Sequence, residues 1–120
     1  MALAKVHRLH RQDFDRIYRQ GKRLSGEHFR AIVFHPSGNP EPHPPRIAVV
    51  VSKKVSKRAV KRNRIRRQVQ AVLQTFLPQM SWGWQMIILV QISALGCDYA
   101  QILPQLEKIL RKAGVLDGHS

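Results

Sequence analysis

Cysteine is almost missing from this chain of 120 residues, and Cys97 stands alone. That excludes an intrachain disulfide and any Cys-rich zinc module. No base is identifiable beside it, so Cys97 reads as a small, partly buried residue and not as a nucleophile. Acidic residues are nearly as scarce: the seven are dispersed, and none occurs from Pro42 to Cys97. No carboxylate cluster is therefore available to hold two metal ions for phosphodiester hydrolysis. The six histidines are scattered, and although His7 and His10 sit three apart, no Asp, Glu or Cys joins them at ligand spacing. They read as surface groups that add charge at low pH. The sequence also lacks an apolar run long enough to span a bilayer. Nor does it open on a signal peptide, because Met1-Ala-Leu-Ala runs into Lys5, His7 and Arg8 without a hydrophobic core. The expectation is a cytoplasmic protein with no catalytic residues and no metal site of its own.

What is abundant is positive charge. The formal net charge of +14 implies an acidic partner, while the aliphatic content is that of a folding chain. The charge concentrates in Val51 to Phe76, where nearly every second residue from Lys53 to Arg67 is Lys or Arg. Side chains held so close repel one another, and a polyanion relieves that repulsion. Read as a helix from about Lys57 onward, the segment places Ile65, Val69, Val72, Leu73 and Phe76 on one face, built to lie on a hydrophobic layer. Arg58 and Arg62 flank that stripe, and Asn63, Arg64, Arg66, Arg67 and Gln70 spread over the rest of the circumference. Cations at a helix N-terminus oppose its dipole, whereas the free N–H groups there suit phosphate. A merely solvated face would mix signs and carry Glu to Lys pairs four apart, and none is present. Arginine outnumbers lysine in the core of the run, which suits forked bonding to phosphate. An anionic membrane fits less well, because no Trp or Phe is interleaved with the cationic half. A sequence-specific DNA binder fits poorly too, since its recognition helix needs base-reading side chains distinct from phosphate binders.

The rest of the chain reads as one domain, residues 1–120. A basic arm, flexible over 1–8, precedes a short helix from Asp13 to Gln20 that Gly21 stops in the manner of a C-terminal glycine. Phe14 and Tyr18 share a face of that helix, which composition alone assigns to the core. Lys22 to Ser25 forms a brief strand, and Phe29 to His35 a clearer one, with Phe29, Ala31 and Val33 on one face and Arg30, Ile32 and Phe34 on the other. Arg30 on that second face either covers a sheet edge or points into a polar groove. Pro36 to Pro45, with five prolines, is a loop. Arg46 to Ser52 is an apolar, β-branched run, expected to be an interior strand covered on both faces. Pro78 ends the basic helix, Met80 to Trp84 is a turn whose Trp82 and Trp84 are expected to pin it to the core, and Gln85 to Ile92 is another strand. Asp98 caps a last helix to about Ala113, with Ile102, Leu106, Ile109 and Leu110 inward, and 116–120 is a tail. The order predicts an α+β, α-β sandwich: a small mixed sheet with packed helices.

Val51-Ser-Lys-Lys followed by Ala59-Val-Lys-Arg-Asn-Arg-Ile-Arg-Arg resembles the signature of the bacterial ribonuclease P protein component, and Leu9, Phe14, Tyr18 and Gly21 are spaced like that family's first helix and its glycine end. The resemblance implies a fold like ribosomal S5 domain 2, with a left-handed βαβ crossover where the general rule gives a right-handed one. It implies a protein subunit without catalytic groups, assisting an RNA subunit that removes the 5′ leader of precursor tRNA by endonucleolytic hydrolysis, with Mg2+ held mainly by RNA. On this likeness Lys53, Lys54, Arg58, Lys61, Arg62, Asn63, Arg64, Arg66 and Arg67 dock the ribonuclease P RNA. Phe14, Tyr18, Arg30 and Ile32 line a cleft for the single-stranded leader, where stacking tolerates any sequence. Three positions depart from the pattern: Ser56 stands where glycine is common, with Arg58 an added cation, Gln70 replaces a frequent arginine, and Tyr18 a frequent phenylalanine. The alternative is a structural ribosomal or general RNA-binding protein that uses the same basic helix without substrate contact.

Overall fold

The computed structural model describes residues 3–36 and 43–116. Most of the Pro36–Pro45 loop and all but Leu116 of the expected tail lie outside the described residues. Among the described residues three α-helices, α1 (Phe14–Gln20), α2 (Ala59–Phe76) and α3 (Tyr99–Ala113), accompany four strands, β1 (Lys22–Ser25), β2 (Phe29–Phe34), β3 (Arg46–Val50) and β4 (Gln85–Val90). The strands form one mixed sheet in the order β1-β2-β4-β3. The β1–β2 and β2–β4 pairs are antiparallel, while β3 runs parallel to β4 with Ile47 opposite Met86 and Arg46 opposite Gln85.

The alternation of side chains along each strand divides the hydrophobic residues between two layers. Phe29, Ala31, Val33, Ile47, Met86, Ile88 and Val90 belong to one cluster, completed by Ile65, Val69, Val72, Leu73 and Phe76 of α2 and by Ile102, Leu106, Ile109 and Leu110 of α3. Ile32 and Ile87 face the other way and meet Ile17 of α1, with Leu9, Phe14, Phe34, Val50 and Leu89 packed around them. Helices α2 and α3 therefore cover one face of the sheet, and α1 covers part of the opposite face.

The unbroken apolar run of β3 predicted an interior strand, yet β3 lies at the sheet edge, while β4, between β2 and β3, is interior with five of its six residues buried. Composition reports what covers a strand above and below, and says nothing of its lateral neighbours. The N-terminal segment supplies the missing lateral cover. Leu3 is 3% exposed within the main core, Arg8 bridges to Ile47, and the Leu9 amide donates to the Ile47 carbonyl at 3.3 Å. From Leu3 onward the basic arm is thus docked, against the expectation of a flexible segment. Leu116 likewise leaves the tail: it bridges Met80 and is 6% exposed.

The helix ends follow local chemistry. Asp98 Oδ1 accepts from the Gln101 amide at 3.0 Å while Gln101 Oε1 accepts from the Asp98 amide at 3.0 Å, a reciprocal capping box. Pro104 sits in the second turn of α3, and Gly114 closes the helix with φ +79°. Gly21 ends α1 for another reason than the one expected. Its φ is −73°, open to any residue, but a Cβ there would lie 2.6 Å from both the Ile17 carbonyl oxygen and Ile32 Cγ2. The glycine allows close approach of backbone to sheet, not a left-handed turn. Among the described residues no helix is long and apolar enough to cross a membrane.

Candidate nucleic-acid interface

Helix α2 presents its cations in a particular state of readiness. Its first turn carries no acidic residue, and Arg58 at the N-cap supplies no side-chain acceptor to the leading amides of the helix. Ser56 shapes the approach: its hydroxyl accepts from the Arg58 amide at 3.2 Å and its carbonyl accepts from Arg62 Nη1 at 2.8 Å. Arg66 Nη1 donates to Asn63 Oδ1 at 2.7 Å. Lys53, Lys54, Arg58, Lys61, Asn63, Arg64 and Arg67 are exposed, and Arg62 and Arg66 are half-buried. Ion pairs among the described residues join Arg16 to Asp13, Arg19 to Asp15, His28 to Glu27 and Arg111 to Glu107. None reaches the 53–67 segment, so its charge is left uncompensated within the described residues. Lys53 and Lys54 lie in the turn before α2, Arg58 at its N-cap, and the other six in the N-terminal half of the helix. Lys61 and Arg64 also border a groove of about 340 Å³ between α2 and the turn Leu95–Asp98.

The second predicted set comes together on the opposite face, with one exception. Phe14 is half-buried, Tyr18 is 38% exposed, and Arg30 is exposed on the same side of β2 as Ile32. Ile32 itself is 1% exposed, sealed between Ile17 and Ile87. It is floor and not surface: the glycine at position 21 lets α1 settle so closely that no ligand reaches the isoleucine.

Other residues share this face, Phe34 by the strand alternation already read and the rest without a sequence signal. Phe34, Val50 and Leu89 are partly buried around the same cluster as Phe14. The Arg16 guanidinium lies 5.4 Å from the Phe34 ring centroid, and its Nη2 donates to Asp13 Oδ1 and to Gln85 Oε1, each at 2.9 Å. Arg23 Nη2 donates to the Tyr18 carbonyl at 2.8 Å. The face is therefore a partly exposed apolar surface with the cations Arg16 and Arg23 at its edge, suited to rings on the surface and phosphates beside it. Period-two counting along β2 put Phe34 beside Arg30 and Ile32. Arg16 had no such signal, because its anchor, Gln85, is 69 residues away.

Trp82 and Trp84 part company. Trp84 packs on the core and meets His35 edge-on at 4.9 Å between ring centroids. Trp82 is 59% exposed, contrary to the expectation that it pins the turn. Among the described residues no three His, Cys, Asp or Glu side chains gather to hold a metal ion.

The sequence and the fold match known proteins. The ribonuclease P family model matches residues 3–114. A ribonuclease P protein component from Microcystis aeruginosa is 43% identical, over 99% of this chain and 100% of the relative. One from Picosynechococcus is 41% identical over 99% of this chain and 100% of its own length. Among solved structures, the RNase P protein of Staphylococcus aureus superimposes with a TM-score of 0.80 at 26% identity, covering 94% of this chain and 100% of that one. With the family model spanning nearly all of the described residues and relatives matching end to end, the chain belongs to the ribonuclease P protein component family.

Proposed function

We propose that this protein serves as the non-catalytic subunit of a cytoplasmic ribonuclease P holoenzyme, assisting removal of the 5′ leader from precursor tRNA. The observation that carries the reading is the uncompensated cationic segment from Lys53 to Arg67, whose side chains have no carboxylate partner among the described residues. Lys53, Lys54, Arg58, Lys61, Arg62, Asn63, Arg64, Arg66 and Arg67 dock the catalytic RNA by neutralising its phosphates and releasing counterions. By screening charge they also ease the approach of the anionic substrate. A groove beside α1 holds the unpaired leader: Phe14 and Tyr18 offer rings for stacking, and Arg30 offers a cation to the backbone. Hydrolysis belongs to the RNA, which holds the magnesium ions.

Reconstitution with a ribonuclease P RNA at low magnesium tests the assignment. Adding the protein should raise cleavage of precursor tRNA; absence of any increase would favour a structural ribosomal or general RNA-binding protein. The double variant Phe14→Ala, Tyr18→Ala should weaken binding of leader-bearing tRNA and spare mature tRNA. Equal loss for both substrates would reject the leader groove.

A further inference from the structure

The turn at residues 81–84 is held from several sides while its largest side chain is left in solvent. The Ser81 amide donates to the Val115 carbonyl at 2.9 Å, the Gly83 amide to the His43 carbonyl at 2.7 Å, and the Arg46 amide to the Trp84 carbonyl at 3.0 Å. His35 Nε2 lies 3.2 Å from the Trp82 carbonyl oxygen, to which it donates in the matching tautomer. The same imidazole occupies the space beside Gly83, where φ is +95° and a Cβ would lie 2.7 Å from His35 Nε2. Trp84 is drawn inward against His35, yet Trp82 keeps 59% of its surface exposed. A loosely tethered loop would let an indole fold back onto apolar neighbours. Here the backbone is fixed and the indole stays out, so binding a ligand leaves only the side chain's own rotamers to order.

Its position defines the partner. Trp82 stands three residues before Gln85, which pairs in register with Phe34 on one side and Arg46 on the other and accepts from Arg16. The turn therefore leads into β4 at the end of the α1 face where Phe34 and Arg16 lie. We infer that Trp82 is a further stacking platform for an unpaired nucleotide base, taken up from single-stranded RNA as it leaves the groove past Phe34, with Arg16 and Arg46 beside its phosphates. The inference rests on the groove reading above and extends it by one binding residue; His35 is its positioning residue.

The test measures anisotropy of a labelled unpaired oligoribonucleotide of about ten nucleotides, within the site sizes of such surfaces, and of a duplex of equal length, with the full-length protein. Trp82→Ala should weaken single-strand binding about ten-fold, the scale of one stacked base, without changing the salt slope or duplex binding. Trp82→Phe should restore most of the affinity. Single-strand affinity of Trp82→Ala within about two-fold of the unaltered protein, or equal losses for single strand and duplex, overturns the inference. Loss confined to the Phe14→Ala, Tyr18→Ala protein would sink this proposal and leave the groove intact. An unaltered protein that fails to bind the oligonucleotide at all would sink both.

Discussion

Arg66 Nη1 reaches the side-chain oxygen of Asn63 at 2.7 Å, one turn back along α2. Within a run of cations, Asn63 thus serves as the acceptor that fixes where a neighbouring guanidinium points, leaving the other nitrogens of that fork free for phosphate. Asn63→Ala should leave the thermal midpoint within about 2 °C, as an exposed substitution of roughly half a kcal/mol does. Affinity for ribonuclease P RNA should fall about five-fold in filter binding, the worth of one modest hydrogen bond. Unchanged affinity would show that this orientation contributes nothing to docking.

Arg64 and Arg67 are both exposed on α2 and have no carboxylate partner among the described residues. Replacing both with alanine should flatten the plot of log affinity against log salt by about two, one per lost phosphate contact. A slope equal to that of the unaltered protein would place both side chains away from the RNA.

The seat of α1 is open to a stability test. Ile32→Ala removes a side chain that is 1% exposed between Ile17 and Ile87, and should cost about 2–4 kcal/mol in urea unfolding. Gly21→Ala forces a methyl group within 2.6 Å of the Ile17 carbonyl and Ile32 Cγ2, and should cost about 1–3 kcal/mol by overpacking. A loss under about 1 kcal/mol for Ile32→Ala would return that residue to the surface.

Much of the architecture was legible because helical and strand periodicities are local. The stripe Ile65, Val69, Val72, Leu73 and Phe76 is buried as the spacing predicts, and the Asp98 cap is in place. What escaped was set by distant partners. Nothing near Ile47 announces that Arg8 and Leu9 will cover it from the side, and nothing near Arg16 announces Gln85. Ile32 was misjudged because period two tells which face a residue takes, not whether a helix already sits there. Trp82 was misjudged because an aromatic beside a glycine turn is ordinarily an anchor, and here Trp84 and His35 fill that role.

Cys97 offers a pH experiment. Burial, followed by the charges of Glu27 and Asp98, raises its thiol above the ordinary value. Iodoacetamide should therefore label the folded protein more slowly than the unfolded chain at neutral pH, with the difference closing as pH rises. Because the folded value is the higher one, the accompanying stability is complete below the unfolded thiol's range and disappears as pH climbs through the folded value. Equal labelling rates in folded and urea-unfolded protein at neutral pH would contradict this.

The strap that Leu3 to Leu9 lays along β3 has a consequence for storage and expression. An unclosed sheet rim is a template on which another molecule's strand can grow. The far rim, β1, defends itself with the exposed charges of Lys22 and Arg23, whereas β3 beyond Arg46 is wholly aliphatic and relies on the strap. Shortened proteins that begin after Leu9 should keep their helices and yet clump as they are concentrated, each copy offering its neighbour an unguarded seam.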